Sequence, residues 1–161
     1  GVTFAGSGTT TAFTVNSTTE LTVTVPAGTR TGSVTVTAAG GTSNTAFLYV
    51  IPTVAGVSPL TGPPGTTVTI TGTGLSDVTT VRMGPPGAGP DGLNPQANAA
   101  GTQLTFQVPV DAVSGTLELL AGPNAVTTTQ AFVAVPVLRQ PPNYFATAGQ
   151  SITFQGINLD N

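Results

Sequence analysis

The side chains that could carry acid–base chemistry in this sequence are six carboxylates. They are Glu20, Asp77, Asp91, Asp111, Glu118 and Asp160. Glycosidase-type chemistry needs two carboxyl groups that flank the bond to be cleaved. These six are scattered along the chain, mostly on outward strand positions or in loops, which favours solvated surface charge. We therefore assign no catalytic residue.

Metal and nucleophile chemistry have few candidates. Calcium needs several clustered oxygen ligands, and Asp77, Asp91 and Asp160 lie in predicted loops that could contribute to such a site. Cysteine and histidine are absent, which excludes zinc sites of the usual kind, thiolate chemistry and a Ser-His-Asp triad. The glycine-rich stretches lack the Gly-Lys-Ser/Thr of a phosphate loop. We expect neither an enzyme nor a cofactor and assign no metal ligand, with calcium left as an open alternative.

Charge is scarce. Charged residues make up 6% of the chain, against roughly 25% in ordinary domains. The cations are Arg30, Arg82 and Arg139, and the net charge is −3, so no basic patch for nucleic acid is expected. No apolar run approaches the roughly 20 residues of a membrane span. Weak mutual repulsion favours association of the chain with copies of itself, although a dense sugar coat would account for the same composition.

Four further side chains stand out as sites of modification or contact. Asn16 begins an Asn-Ser-Thr acceptor for N-linked sugar. Exposed aromatic side chains can bind sugars or partners, and Tyr49, Tyr144 and Phe145 lie near the ends of repeated segments. We therefore favour contacts between repeats for these three and keep ligand binding as the alternative.

The elements that must position these groups are strands, because apolar and polar residues alternate along most of the chain. Leu21, Val23 and Val25 alternate with polar residues. The same pattern recurs at residues 34–36, 68–70, 104–108, 117–119 and 152–154. Glycine and proline clusters separate these runs. The pattern predicts an all-β antiparallel sandwich or barrel.

Internal repetition indicates more than one copy of a unit. Residues 52–75 return as residues 136–159 with a constant spacing of 84, as in Gly65 and Gly149. A second set of matches, beginning with Leu21 and Leu104, has a spacing of 83. One sandwich unit is therefore repeated along the chain.

These spacings predict three segments. Residues 1–50 are the later strands of a first repeat, residues 51–135 are a complete repeat, and residues 136–161 are the opening strands of a third. The chain is expected to be a mature or internal fragment. Either it comes from a longer tandem array, or residues 136–161 of one subunit join residues 1–50 of the next.

The complete repeat carries an additional stretch at residues 85–96, for which the first repeat has only a few residues. Insertions at the loops of a sandwich commonly carry individual binding properties. Pro85, Asp91 and Asn94 in this stretch are therefore candidate binding-loop residues.

The repeated phrase resembles the opening of an IPT/TIG domain. It reads PTVAGVSPLTGPPGTTVTITGTGL and contains a Ser-Pro, a Gly-Pro-x-Gly turn and a Val-x-Ile-x-Gly strand. Residues 2–50 resemble the rest of that domain, with Val25-Pro26 and Gly40-Gly41 at its turns. The third copy departs from the pattern, with Asn143 in the place of Pro59. The resemblance implies tandem immunoglobulin-like sandwiches, as in bacterial surface proteins, phage structural proteins, receptors and some transcription factors, and it supplies no catalytic motif.

Composition and resemblance together favour a structural role. The predicted function is a non-catalytic repeat segment of an extracellular filament, sheath or surface layer that assembles with copies of itself. The alternative is an adhesin or phage tail-fibre module that recognises a glycan or receptor through its loops. Both hypotheses place the protein outside the cell, at the cell surface or on a virion.

Overall fold

The computed structural model describes residues 1–139 and 145–159. It is almost entirely β, as predicted, and one 3₁₀ helix (Leu75–Asp77) occurs among the described residues. The strands are β1 (Val2–Phe4), β2 (Gly8–Thr10), β3 (Phe13–Val15), β4 (Leu21–Val23), β5 (Gly32–Ala38), β6 (Gly41–Thr42), β7 (Ala46–Leu48), β8 (Thr53–Ser58), β9 (Thr61–Gly62), β10 (Thr67–Thr73), β11 (Thr80–Met83), β12 (Leu93–Ala97), β13 (Gln103–Gln107), β14 (Gly115–Ala121), β15 (Asn124–Ala134), β16 (Val137–Leu138) and β17 (Gly156–Ile157). In this described part, no helix has the length and apolarity needed to cross a membrane.

The central segment folds as a sandwich of two four-stranded sheets. One sheet has the order β12-β13-β10-β8 and the other has the order β11-β14-β15-β9. Neighbouring strands are antiparallel except for β15 and β9, which run parallel. The predicted immunoglobulin-like class is confirmed.

Alternate residues of the facing strands form the core of this sandwich. Each of the following is at most 1% exposed: Val68, Ile70, Leu104 and Phe106 from one sheet, and Val81, Met83, Leu117, Leu119 and Phe132 from the other. Burial of a side chain of this size contributes about 1.5–3 kcal/mol. The residues between them lie on the outer faces: Thr69 and Thr105 in the first sheet, and Arg82 and Glu118 in the second. Threonine suits a pleated surface because it is β-branched.

The first segment reproduces one sheet and one hairpin of that sandwich. Strands β2, β1, β5 and β6 form a sheet in this order, β7 also pairs with β5, and β3 pairs with β4 in a separate hairpin. Val2 lies opposite Val36, as Val81 lies opposite Leu119 in the central segment. Val36 and Leu119 are 83 positions apart.

The third segment reproduces the opening strand pair. Val137 lies opposite Ile157 in the third segment, and Thr53 lies opposite Thr73 in the central segment. Each residue of the first pair is 84 positions after its counterpart in the second. Gly72 and Gly156 are equivalent positions in the two pairs. A Cβ at Gly72 would meet the carbonyl oxygen of Thr53, and a Cβ at Gly156 would meet that of Val137. The correspondence supports the boundaries 1–50, 51–135 and 136–161, which stay predictions.

The strand predicted around Ile152 and Phe154 differs from the structure, in which residues 151–155 lie outside any strand. The equivalent β10 is bonded to β13 on one side and to β8 on the other. The described part of the third segment supplies a counterpart of β8, namely β16, but none of β13. With only one short partner, the segment makes fewer ladder hydrogen bonds, and Ile152 and Phe154 are 42% and 48% exposed.

Candidate functional site

Two aromatic rings lie side by side on the outer face of the first segment. Phe47 is in β7 and pairs with Ser33 of β5, while Tyr49 follows β7 by one residue. The ring centroids are 5.0 Å apart with an angle of 61° between the planes. Phe47 and Tyr49 are 62% and 52% exposed. We call these two side chains the outer aromatic pair.

The strand register explains why the pair faces outward. Val34 and Val36 of β5 lie opposite the buried Phe4 and Val2 of β1. Ser33 alternates with Val34, so Ser33 and its partner Phe47 lie on the opposite face of the sheet. Phe47 and Tyr49 are two residues apart and share this face. The pair offers apolar ring surface and one phenolic hydroxyl, which can donate or accept a hydrogen bond.

An open groove lies on the other face of the same segment. It has a volume of about 640 Å³ between the β3–β4 hairpin and the β5–β6 sheet, and its apolar lining includes Phe13, Val15, Leu21, Val36 and Ala38. In the central segment, the counterparts of the last three are Leu104, Leu119 and Ala121, and all of these are buried. We call this feature the first-segment groove.

The stretch at residues 85–96 is only partly a loop, because it contains most of β12. Asn94 therefore lies in a strand, with a positive φ of 51°, and not in the loop predicted for it. Pro85 and Asp91 precede that strand, and all three residues are exposed. The sequence could not indicate β12, since Asn94-Pro95 reads as a turn.

Ion pairs tie this loop to the sandwich. The Arg82 Nε lies 3.3 Å from Asp91 Oδ1, and the Arg82 Nη1 lies 3.5 Å from Glu118 Oε2. The backbone N–H of Gly87 donates to Glu118 Oε2 at 2.9 Å. The two carboxylates are thus engaged by an arginine and a backbone amide, as expected of structural surface charges.

The two described acids considered for calcium, Asp77 and Asp91, have separate partners. Asp77 Oδ2 accepts the backbone N–H of Thr31 at 2.6 Å, whereas Asp91 pairs with Arg82. Asp160 lies outside the described residues. Across residues 1–139 and 145–159, no three acidic side chains come together in a way that could hold a metal ion.

The remaining predicted site residues are dispersed. Asn16 is exposed in the β3–β4 hairpin, and its Nδ2 donates to Glu20 Oε1 and Thr22 Oγ1, both at 2.8 Å. Phe145 is 90% exposed, and Tyr144 lies outside the described residues. The predicted roles of these residues stay predictions. Sequence reasoning selected Tyr49 but missed Phe47.

A family model for the IPT/TIG domain matches residues 52–132, which is half of the chain. The chain belongs to the IPT/TIG domain family. The match covers nearly all of the central sandwich, from the residue before β8 to Phe132 in β15. No curated protein matches this IPT/TIG chain significantly.

Three solved structures match parts of this chain. SGBP-B from a xyloglucan utilization locus in Bacteroides uniformis is 21% identical, with a TM-score of 0.45, and the match covers 88% of this chain and 49% of that one. A crystal structure with a xylogluco-oligosaccharide is 19% identical, with a TM-score of 0.48, and covers 78% and 31%. A third, of two domains named C and D, is 24% identical, with a TM-score of 0.43, and covers 53% and 33%. The IPT/TIG chain thus spans a third to a half of the length of these structures.

Proposed function

We propose that this IPT/TIG chain is a non-catalytic binding module of a surface protein and that its outer aromatic pair recognises a neutral carbohydrate. The observation that carries the proposal is the exposure of two adjacent rings, Phe47 and Tyr49, at 62% and 52%. Large aromatic side chains are mostly buried in folded proteins. An exposed cluster of them commonly marks a contact surface.

The chemistry around the pair fits a neutral, hydroxyl-rich ligand. Aromatic faces pack against the apolar C–H faces of a pyranose ring, and the Tyr49 hydroxyl can donate to or accept from a sugar hydroxyl. Ser33 adds a hydroxyl on the same face. A phosphorylated or sulfated ligand would call for cations, whereas the chain has three arginines and Arg82 is engaged with Asp91 and Glu118.

The test is a screen of the purified chain against an array of neutral glycans, followed by calorimetric titration of the best ligand. We expect Phe47→Ala and Tyr49→Ala each to weaken binding about tenfold, which corresponds to about 1.4 kcal/mol. Val133→Ala is the matched control. Phe132 pairs with Gly115 in the central segment, and Leu48 pairs with Gly32 in the first segment. Val133 and Tyr49 each follow by one position, so Val133 is the counterpart of Tyr49.

Two results would contradict the proposal. One is a chain that binds no neutral glycan on the array. The other is a bound glycan whose affinity falls as much in Val133→Ala as in the two aromatic variants, because the contact would then lie away from the pair.

A structural repeat of an extracellular filament, sheath or surface layer is the second candidate, and one contact favours it. Asp77 in the central segment accepts the Thr31 N–H of the first segment. The Thr31 Oγ1 in turn accepts the N–H of Val50 at 3.0 Å. Val50 also packs closely on Gly74, because a Cβ added at Gly74 would lie 2.9 Å from the Val50 Cγ1. Such contacts would fix the angle between successive repeats, as a stiff fibre requires. Electron microscopy would contradict this candidate if the purified material showed only separate, bent particles.

A further inference from the structure

The outer face of the first segment continues from the outer aromatic pair into a row of hydroxyl groups. Strands β2, β1, β5 and β7 lie side by side in one sheet. Thr9 of β2 lies opposite Thr3 of β1, and Thr3 lies opposite Thr35 of β5. Thr35 is two residues from Ser33, the partner of Phe47, so all of these side chains share one face. We call Thr9, Thr3 and Thr35 the hydroxyl row.

The central segment has charged residues at the positions that correspond to the hydroxyl row. Asp91 forms a bridge with Arg82, and Arg82 lies opposite Glu118, in the same arrangement across three neighbouring stretches of chain. These three side chains form the two ion pairs with Arg82 described above. One repeat therefore has hydroxyl groups where the other has ion pairs.

The same face of the complete central sandwich is open to solvent. Ala131 and Val133 occupy the places of Phe47 and Tyr49, and both are exposed. Asp91 is exposed as well. An outward position on this sheet is thus exposed even in a repeat whose core is finished, so the exposure of the outer aromatic pair and the hydroxyl row follows from the face on which they lie.

We propose that the hydroxyl row extends the carbohydrate site, so that the first segment binds a linear neutral oligosaccharide of several sugar units and not a single terminal sugar. This inference rests on the proposed function, and it names the length of the ligand and its polar contacts. The outer aromatic pair would pack against one sugar unit, and the hydroxyl row would hydrogen-bond to units further along the same chain.

The width of the face suits a chain. Three strand spacings separate β7 from β2, and at about 4.8 Å each they give a width of about 14 Å. One sugar unit on the outer aromatic pair would leave the hydroxyl row uncovered. A chain that crosses the strands would contact both.

The hydroxyl row keeps hydrogen-bonding capacity for a ligand. Thr3 Oγ1 and Thr9 Oγ1 lie 2.8 Å apart and share one hydrogen bond. Each hydroxyl has one donor and two acceptor sites, so this bond leaves an O–H and several lone pairs for a ligand. Threonine is stiff at χ1, and a side chain with few accessible rotamers loses little conformational freedom on binding.

The ion pairs of the central segment make its equivalent face a poor site for a neutral sugar. A ligand that covered Asp91, Arg82 and Glu118 would remove charged groups from water, and a sugar hydroxyl repays that cost poorly. Hydroxyl groups exchange water for sugar hydroxyls at little net cost. The extended site is therefore expected in the first segment and not on the equivalent face of the central one.

Isothermal titration calorimetry with ligands of two lengths tests the inference on the purified chain. The probes are the disaccharide and the hexasaccharide of each linear neutral glycan on the array, with α-1,4- and β-1,4-linked glucose among them. We expect the hexasaccharide of a bound glycan to bind at least tenfold more tightly than its disaccharide. A longer chain also offers the two rings more places to bind, so variants of the hydroxyl row decide the question.

Thr3→Val, Thr9→Val and Thr35→Val each remove one hydroxyl and keep a β-branched side chain in the strand. We expect each to weaken hexasaccharide binding about fivefold, as for one lost hydrogen bond, and to weaken disaccharide binding much less. Thr69→Val is the matched control, because Thr69 lies at the centre of β10 on the outer face of a central sheet. Its affinity for both ligands should equal that of the unaltered chain, and circular dichroism should report the same strand content in all four variants.

A triple variant copies the charged row of the central segment into the first. It combines Thr9→Asp, Thr3→Arg and Thr35→Glu and leaves the outer aromatic pair in place. We expect it to bind the hexasaccharide no more tightly than the unaltered chain binds the disaccharide.

The outcomes separate this inference from the proposed function. Equal affinity for the two lengths, or row variants that bind the hexasaccharide like the unaltered chain, would overturn the extended site and leave the aromatic site standing. Row variants that lose affinity for both lengths by the same factor would also overturn it, because the row would then act through the fold. A chain that binds no glycan on the array would overturn the proposed function and this inference with it.

Discussion

The complete core of the central segment and the open groove of the first segment predict that the same Leu→Ala substitution costs much more stability in the central segment than in the first. Leu104 is fully buried opposite Ile70, so Leu104→Ala removes roughly three buried carbon groups at about 0.8 kcal/mol each. The residual cavity adds to this, which brings the expected loss to about 3–4 kcal/mol. For a domain of this size, each kcal/mol lowers Tm by about 4–8 °C. We therefore expect Tm to fall by at least about 12 °C.

Leu21→Ala is the matched comparison, because Leu21 is the counterpart of Leu104 and lines the first-segment groove. Its side chain is already partly exposed to water, so the expected loss is smaller, about 1 kcal/mol. Differential scanning calorimetry on dilute protein measures both variants, and far-UV circular dichroism follows the loss of strand. Equal shifts for the two variants, or a loss under about 1 kcal/mol for Leu104→Ala, would refute the view that the central segment alone encloses a finished core.

Two further predictions concern the junction and the opening strand pair. Asp77→Ala removes the acceptor of the part-buried Thr31 N–H, which should cost about 1 kcal/mol at the junction. Limited proteolysis should then cleave faster near residues 50–52, with Asp77→Asn cleaved at an intermediate rate. Gly72→Ala would force a Cβ into the carbonyl oxygen of Thr53 in β8, so Tm in a thermal scan should fall by at least about 8 °C. Gly40→Ala is the control, because a Cβ there meets nothing within 4 Å, and its Tm should be unchanged.

Much of the fold could be predicted from the sequence, because alternation reports directly which side chains face a core. The apolar positions of the predicted runs at residues 68–70, 104–108 and 117–119 are buried in the central sandwich. The spacing of 84 likewise agrees with the pairing of β16 and β17, which has the register of β8 and β10, although the strand predicted around Ile152 and Phe154 is absent. Both features depend on local side-chain pattern, which a single sequence contains.

The outer aromatic pair could not be predicted in the same way. Residues 46–51 read Ala-Phe-Leu-Tyr-Val-Ile, so both faces of this strand are apolar and alternation cannot distinguish inside from outside. The match between Ala46-Phe47 and Ala131-Phe132 even suggests that Phe47 occupies the buried place of Phe132. The hydrogen-bond register assigns that place to Leu48, and register depends on turns and bulges that side-chain hydrophobicity does not encode.

Sequence pattern also cannot tell whether a core face is covered. Leu21 and Leu104 stand in nearly the same local pattern, yet Leu104 is fully buried and Leu21 lines an open groove. The difference comes from β10, which covers Leu104 and has no counterpart over Leu21 among the described residues. Burial therefore depends on a partner strand distant in sequence, which the local pattern around Leu21 does not contain.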